Sequence, residues 1–160
     1  MFFIEPSYNI DSIYDIDILS LKENGIRALF FDLDSTLMKS KSGKFSFKTL
    51  QFLNDLKTNF HLAIISNNPN DDYINLAKSQ TDIKIYHKAH KPNPKVLLQA
   101  CKDFNIEPYQ AAMVGDRPLS DILAGKNANM TTILVDSISK EEENKIVRFA
   151  RFLERLTIKR

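Results

Sequence analysis

Residues 27–36, Arg27-Ala28-Leu29-Phe30-Phe31-Asp32-Leu33-Asp34-Ser35-Thr36, carry the reading of the fold. An apolar run ends in two aspartates two positions apart, followed by two hydroxyls. A continuous apolar run with aromatic side chains reads as a strand buried on both faces, which a parallel sheet covered by helices requires. Working outward, strands are expected at Arg27–Asp32, His61–Ser66, Ile83–Tyr86, Ala111–Gly115 and Thr131–Val135. Between them, Phe47–Lys57, Asp72–Lys78, Pro94–Phe104 and Leu119–Lys126 read as helices. Phe47, Leu50, Leu53 and Leu56 recur every third position, which predicts one helical stripe. Asn93-Pro94 reads as an N-cap followed by a first helical residue. Gly25 reads as the stop of a short helix holding Ile18, Leu19 and Leu21. This alternation predicts an α/β domain: a doubly wound, three-layer fold on a five-stranded parallel sheet.

The chain has 160 residues, the size of a single domain, with 43% hydrophobic and 26% charged residues, as in an ordinary globular protein. One domain is expected over 1–160, with an N-terminal helical extension at 1–25 and a basic amphipathic helix at 139–160. Twenty-two basic against 20 acidic residues leave +2, which makes no case for a nucleic-acid partner. The single cysteine, Cys101, excludes an intrachain disulfide and a cysteine-rich zinc site, and its apolar neighbours make it a core residue. No apolar stretch approaches the ~18 residues of a spanning helix. Met1-Phe2-Phe3-Ile4-Glu5-Pro6 has neither a basic leader nor a full apolar segment, so the expected location is the cytoplasm.

In a doubly wound sheet, ligands gather at the carboxyl ends of the strands. Those ends carry Asp32, Asp34, Ser35 and Thr36; then Ser66-Asn67-Asn68; then His90-Lys91-Pro92; then Gly115-Asp116, with Asp121 further on. Neighbouring carboxylates do not both ionise cheaply without a cation. Hard oxygen ligands without histidine or cysteine beside them point to magnesium. Carboxylates, a hydroxyl and an ammonium around a divalent ion suit a tetrahedral dianion, and so phosphoryl transfer. Asp32 is placed to attack phosphorus, Asp34 to act as acid and base, and Ser66 and Lys91 to hold the phosphoryl oxygens.

These four ordered segments resemble the motifs of the haloacid dehalogenase (HAD) superfamily of aspartate-nucleophile phosphatases. The resemblance implies that Asp32 is the nucleophile and a metal ligand, and that Asp34 is the acid/base and offers its carbonyl to Mg2+. It implies phosphate binding by Ser66, Asn67 and Lys91, metal ligation by Asp116, and support from Thr36 and Asp121. An Asp at position 34 is what the phosphatases of the superfamily carry. Position 35, often glycine there, is serine here. Ser12-Ile13-Tyr14-Asp15-Ile16-Asp17, Ser66-Asn67-Asn68, Tyr86-His87-Lys88-Ala89-His90-Lys91-Pro92 and Gly115-Asp116-Arg117 further resemble the YqeG-type branch of subclass III. That branch is related to phosphatidylglycerophosphate phosphatase, and relatives there commonly have a basic residue where this chain has His90. The implied reaction is Mg2+-dependent hydrolysis of a phosphomonoester, with phosphatidylglycerophosphate as the first candidate substrate. A soluble sugar or nucleotide phosphate is the alternative, and a non-catalytic phosphate-binding module is a third reading.

Thr36 and Ser66 are 30 positions apart, and Ser66 and Lys91 are 25, each interval filled by a helix and a strand. Neither leaves room for a large cap domain, so an open site is expected, with the basic loop Met38–Lys44 as a substrate contact. At the C-terminus, Ser139 and Glu142 read as a capping box. Lys145, Arg148, Arg151, Arg155 and Lys159 then share one face, and Ile146, Phe149, Leu153 and Leu156 another. Two readings stay open: the helix rests on anionic lipid as a peripheral contact at the inner membrane face, or its apolar stripe packs on the sheet.

Overall fold

The structure is a computed structural model that describes residues 3–141 and 143–158. Its sheet holds six strands: β1 (Tyr8–Asn9), β2 (Ala28–Phe31), β3 (His61–Ile65), β4 (Lys84–Tyr86), β5 (Ala111–Gly115) and β6 (Thr131–Leu134). Every pairing is parallel, in the order β1-β6-β5-β2-β3-β4. The helices are α1 (Ile18–Glu23), α2 (Phe47–Leu56), α3 (Asp71–Lys78), α4 (Lys95–Asp103), α5 (Leu123–Asn127) and α6 (Lys145–Arg155).

β2 lies between β3 and β5, with Ala28–Phe31 in register with His61–Ile64 on one side and Ala111–Val114 on the other. Strand alternation sends Leu29 and Phe31 into a cluster with Leu21, Leu53, Leu56 and Ile74. It sends Ala28 and Phe30 to the opposite cluster, with Leu97, Ala100, Cys101 and Ala124. Two helical layers therefore sandwich the sheet. From β2 the chain builds outward to β3 and β4, then crosses back to β5 and β6. The strand order reverses beside β2, and the crevice of a doubly wound sheet opens at such a point.

Three expectations are corrected. The sheet has six strands, not five: Tyr8–Asn9 pairs with Ile133–Leu134 within the stretch expected to be purely helical. Two residues are too short a run to show strand periodicity. Phe47 is 81% exposed, whereas Leu53 and Leu56 are buried. A spacing of three slips about 60° per step around a helix of 3.6 residues per turn, so Phe47 ends up opposite Leu56. The last helix begins at Lys145, capped by the Asn144 side chain, which accepts from the Val147 N–H at 2.9 Å. The Ser139 hydroxyl lies six residues before that start and accepts from the Ser40 N–H at 2.8 Å. Glu142 and Lys159, which entered that reading, lie outside the described residues.

Candidate active site

Asp32 follows β2 directly, and its N–H continues the ladder to the Val114 carbonyl at 2.9 Å. Its side chain points into the sheet edge, where Lys91 meets it. The Lys91 ammonium donates to Asp32 Oδ1 at 2.7 Å, to Asp121 Oδ1 at 2.7 Å and to the Ile65 carbonyl at 2.8 Å. All three donor hydrogens of the ammonium are used, and the Lys91 side chain is 1% exposed. Burial would pull its pKa down, but the charges of Asp121 and Asp32 outweigh that and hold it above the ordinary lysine range.

Asp116 follows β5. Thr36 Oγ1 lies 3.1 Å from Asp116 Oδ1 and 3.3 Å from Asp32 Oδ2, a buried hydroxyl bracing two carboxylates. The Arg151 guanidinium donates to Asp116 Oδ2. Burial, and then the charges of Asp32 and Asp121, push the Asp116 carboxyl up to about 8. Burial and Asp32 push Asp121 up to about 6 against the pull of Lys91. Asp32, Asp116 and Asp121 each bring an oxygen within 4.8 Å of the other two. Three buried hard-oxygen donors gathered this closely fit a small divalent cation such as magnesium. Asp121 is already committed, with Oδ1 on Lys91 and Oδ2 accepting the Arg117 N–H at 3.1 Å. Asp32 is held by Lys91 and Thr36, and Asp116 by Thr36 and Arg151, so a cation bound between these two would compete with the Arg151 guanidinium for Asp116.

Asp121 owes its place to a wide helical turn, Pro118–Ile122, that opens just after β5. Gly115 makes the approach possible, because a Cβ there would collide with the Asp121 carboxyl. Wide turns of this kind occur often at functional sites.

Asp34 stands on the turn after Asp32 and faces α3. Its Oδ1 accepts from the Tyr73 hydroxyl at 2.5 Å, and Oδ2 lies 3.5 Å from Asn68 Nδ2. Partial burial and the Asp34 carboxylate raise the Tyr73 phenol above its ordinary pKa, so it stays a donor. Between the two aspartates and Thr36 the backbone must reverse, and Ser35 does so at φ 67, a conformation glycine adopts without strain. Serine there gains a partner: its hydroxyl donates to Ser139 Oγ at 3.2 Å, and its carbonyl accepts the Ile138 N–H at 2.9 Å. The departure from glycine thus ties the segment before α6 to the turn between the two aspartates.

Ser66 follows β3, is buried, and accepts the Asn68 N–H on Oγ at 3.1 Å. Asn67 grips the backbone of Lys91, accepting its N–H at 2.7 Å and donating to its carbonyl at 3.1 Å. These groups line a cavity of about 640 Å³ together with Asp32, Asp34 and Lys91. Ser40 and Lys41 of the loop after Asp34 form part of its rim. Arg117 also lines it while paired with Glu154.

Sequence reading did not find Tyr73, Glu143 or the inward role of Arg151. Arg151 Nε donates to both Glu143 oxygens at 2.9 and 2.8 Å. Arg155 donates to the Val135 carbonyl at 2.6 Å and to the Asp116 carbonyl at 3.3 Å. The helix therefore docks through its arginines, and its apolar side faces out, with Ile146 80% and Phe149 60% exposed. The reading in which the apolar stripe packs on the sheet is therefore corrected. The four-residue spacing of Arg151 and Arg155 was legible, but buried acceptors waiting beneath them were not.

A HAD-hydrolase-like family model matches residues 88–156. The chain is 27% identical over 154 residues to the probable phosphatase YqeG of Bacillus subtilis, covering 96% of this chain and 88% of that one. Over these stretches the chain is similar to the HAD-like hydrolases. The chain is also 28% identical to phosphatidylglycerophosphate phosphatase 1, chloroplastic/mitochondrial, of Arabidopsis thaliana, across 99% of its own length and 48% of that enzyme's. It spans about half of that relative. Among solved structures, a HAD family enzyme of Bacteroides thetaiotaomicron in complex with magnesium and inorganic phosphate matches with TM-score 0.58 at 14% identity, over 78% of this chain and 100% of that one. A HAD phosphatase of Thermococcus onnurineus matches with TM-score 0.56 at 16% identity, over 74% and 89%. At such identities these two establish the shared fold. The family match and the curated relatives indicate a phosphoric monoester hydrolase.

Proposed function

We propose that this hydrolase cleaves a lipid phosphomonoester through an aspartyl-phosphate on Asp32, with phosphatidylglycerophosphate as substrate and phosphatidylglycerol as product. The observation that carries the chemistry is the buried Asp32–Lys91–Asp121 chain on the floor of an open cavity, with Asp34 one turn away. An Asp32 oxygen forms a bond to phosphorus as the ester P–O bond breaks, and Asp34 gives its proton to the leaving alkoxide. Asp34 then takes a proton from water as that water's oxygen bonds to phosphorus and the Asp32–phosphorus bond breaks. Lys91 and Ser66 hold the phosphoryl oxygens, as point charge and hydroxyl donor. Asn67 fixes the Lys91 backbone, and Thr36 and Asp121 orient the charged groups around it. Mg2+ would be held by Asp32, the Asp34 carbonyl and Asp116, and when bound it neutralises the phosphoryl charge.

Two observations support a lipid substrate. The Arabidopsis relative is named for phosphatidylglycerophosphate, and the cavity opens to solvent beside a helix with an exposed apolar face. The reading places the protein on the cytoplasmic side, peripheral at the inner membrane. Its test is phosphate release from phosphatidylglycerophosphate in mixed micelles beside a panel of sugar and nucleotide phosphates, with Asp32→Asn as control. Lipid turnover that the variant abolishes is expected. Turnover confined to soluble esters would transfer the assignment to them, and unchanged activity in Asp32→Asn would remove the nucleophile.

A further inference from the structure

α6 is packed with its polarity reversed. Arg151 and Arg155, four residues apart and so on one side, reach inward to Glu143, Asp116, Val135 and Asp136. The helix buries none of its own residues. Ile146, Phe149, Phe152, Leu153 and Leu156 follow helical spacing on the other side and are 80%, 60%, 57%, 47% and 55% exposed. A contiguous apolar face of this kind marks an interaction surface.

We propose that the outward face of α6 is a membrane-docking surface that seats this hydrolase on an anionic bilayer with its active-site mouth at the lipid interface. Three observations choose the occupant. The first is charge. Lys145 and Arg148 lie along one edge of the apolar face and are exposed, with no ion pair among the described residues. The one acid within the helix, Glu154, is turned inward onto Arg117, its side chain 12% exposed. The outward side of the helix is thus apolar and basic, which anionic headgroups complement. A second copy of this chain would set the same cations against one another across a two-fold axis. The second is place. Asn144 and Val147 of this same segment line the catalytic cavity, so a bilayer under α6 lies beside the mouth. The third is size: no helix among the described residues is long and apolar enough to cross a membrane, so α6 lies in the interface plane.

This inference deepens the lipid-phosphatase reading and rests on it for its purpose, but vesicles free of any phosphomonoester test it separately. The chain has no tryptophan, so Phe149→Trp gives a single reporter. Vesicles of phosphatidylcholine with phosphatidylglycerol should float the full chain and blue-shift that reporter. Pure phosphatidylcholine vesicles, or high salt, should do so far less. The double variant Phe152→Ser/Leu153→Ser should lower vesicle partition by about tenfold or more, with turnover of para-nitrophenyl phosphate kept. Lys145→Glu/Arg148→Glu, two exposed positions with little bearing on folding, should abolish the preference for anionic lipid. Failure of the wild type to float, equal flotation of the variants, or a dimer that the serines dissolve without any vesicle binding would each overturn the proposal. Vesicle binding without lipid turnover in micelles would uphold the docking surface and strike the substrate reading alone.

Discussion

Replacing Lys91 by methionine keeps the volume of the side chain and removes its charge at the point where three acceptors converge. Asp32 and Asp121 each lose a 2.7 Å partner, and the Ile65 carbonyl loses one at 2.8 Å. Breaking a buried ion pair from one side costs roughly 3–5 kcal/mol, because the surviving charge stays desolvated. The cost depends on pH in a direction the structure dictates. Lys91 itself is held above its ordinary value of 10.5, so its contribution is complete anywhere below that and fades only as pH rises through the folded value. The carboxylates set the slope. Asp121 and Asp116 are already pushed up to about 6 and about 8, and losing Lys91 drives Asp121 higher. A carboxyl raised in the folded state stabilises it while protonated and loses that contribution as pH climbs through the folded pKa. Urea unfolding of wild type and variant should therefore differ by the full amount near pH 8.5 and by clearly less near pH 5. The difference should shrink by up to about 1.4 kcal/mol per pH unit while one group titrates. A cost below about 1 kcal/mol at both pH values, or a larger cost at pH 5, would refute the view that Lys91 neutralises buried carboxylates.

The Asp116 carboxyl, pushed up to about 8, must give up its proton to a cation, so thermal stabilisation by magnesium should be larger at pH 8.5 than at pH 6. Equal shifts at the two pH values in a fluorimetric melt would contradict the assignment of Asp116 as a ligand. Gly115→Ala places a methyl against the Asp121 carboxyl and should cost about 1–3 kcal/mol of stability while reducing turnover, read by melting and steady-state rates. Tyr73→Phe removes the 2.5 Å donor from Asp34 and should lower kcat by about tenfold with KM unchanged. A rise in KM alone would instead make Tyr73 a substrate contact.

The layered α/β architecture was legible because β2, β3 and β5 lie inside the sheet and carry unbroken apolar runs. The edge strand Tyr8–Asn9 was not, since its pairing with Ile133–Leu134 is a contact more than 120 residues away in sequence. The candidate site groups were legible for a related reason. In a parallel sheet each one stands directly after a strand, so Asp32, Ser66 and Asp116 follow from the strand ends themselves.

Roles inside the site divide in the same way. Residue type and order along the chain determined by themselves that carboxylates, a hydroxyl and an ammonium meet at one sheet edge. Only the tertiary structure decided that Tyr73 of α3 holds Asp34, that Asp121 is spent on Lys91 and the Arg117 backbone, and that Asn67 grips a backbone instead of facing the cavity alone. It also decided which way α6 faces. A helical wheel shows two sides of different polarity, and burying the apolar one is the default. Here the Asp116 carboxyl and the carbonyls of Val135 and Asp116 offer buried acceptors to Arg151 and Arg155, and those bonds turn the helix over. Periodicity along a chain records where side chains point relative to one another; what waits on the far side of each contact is a property of the folded molecule.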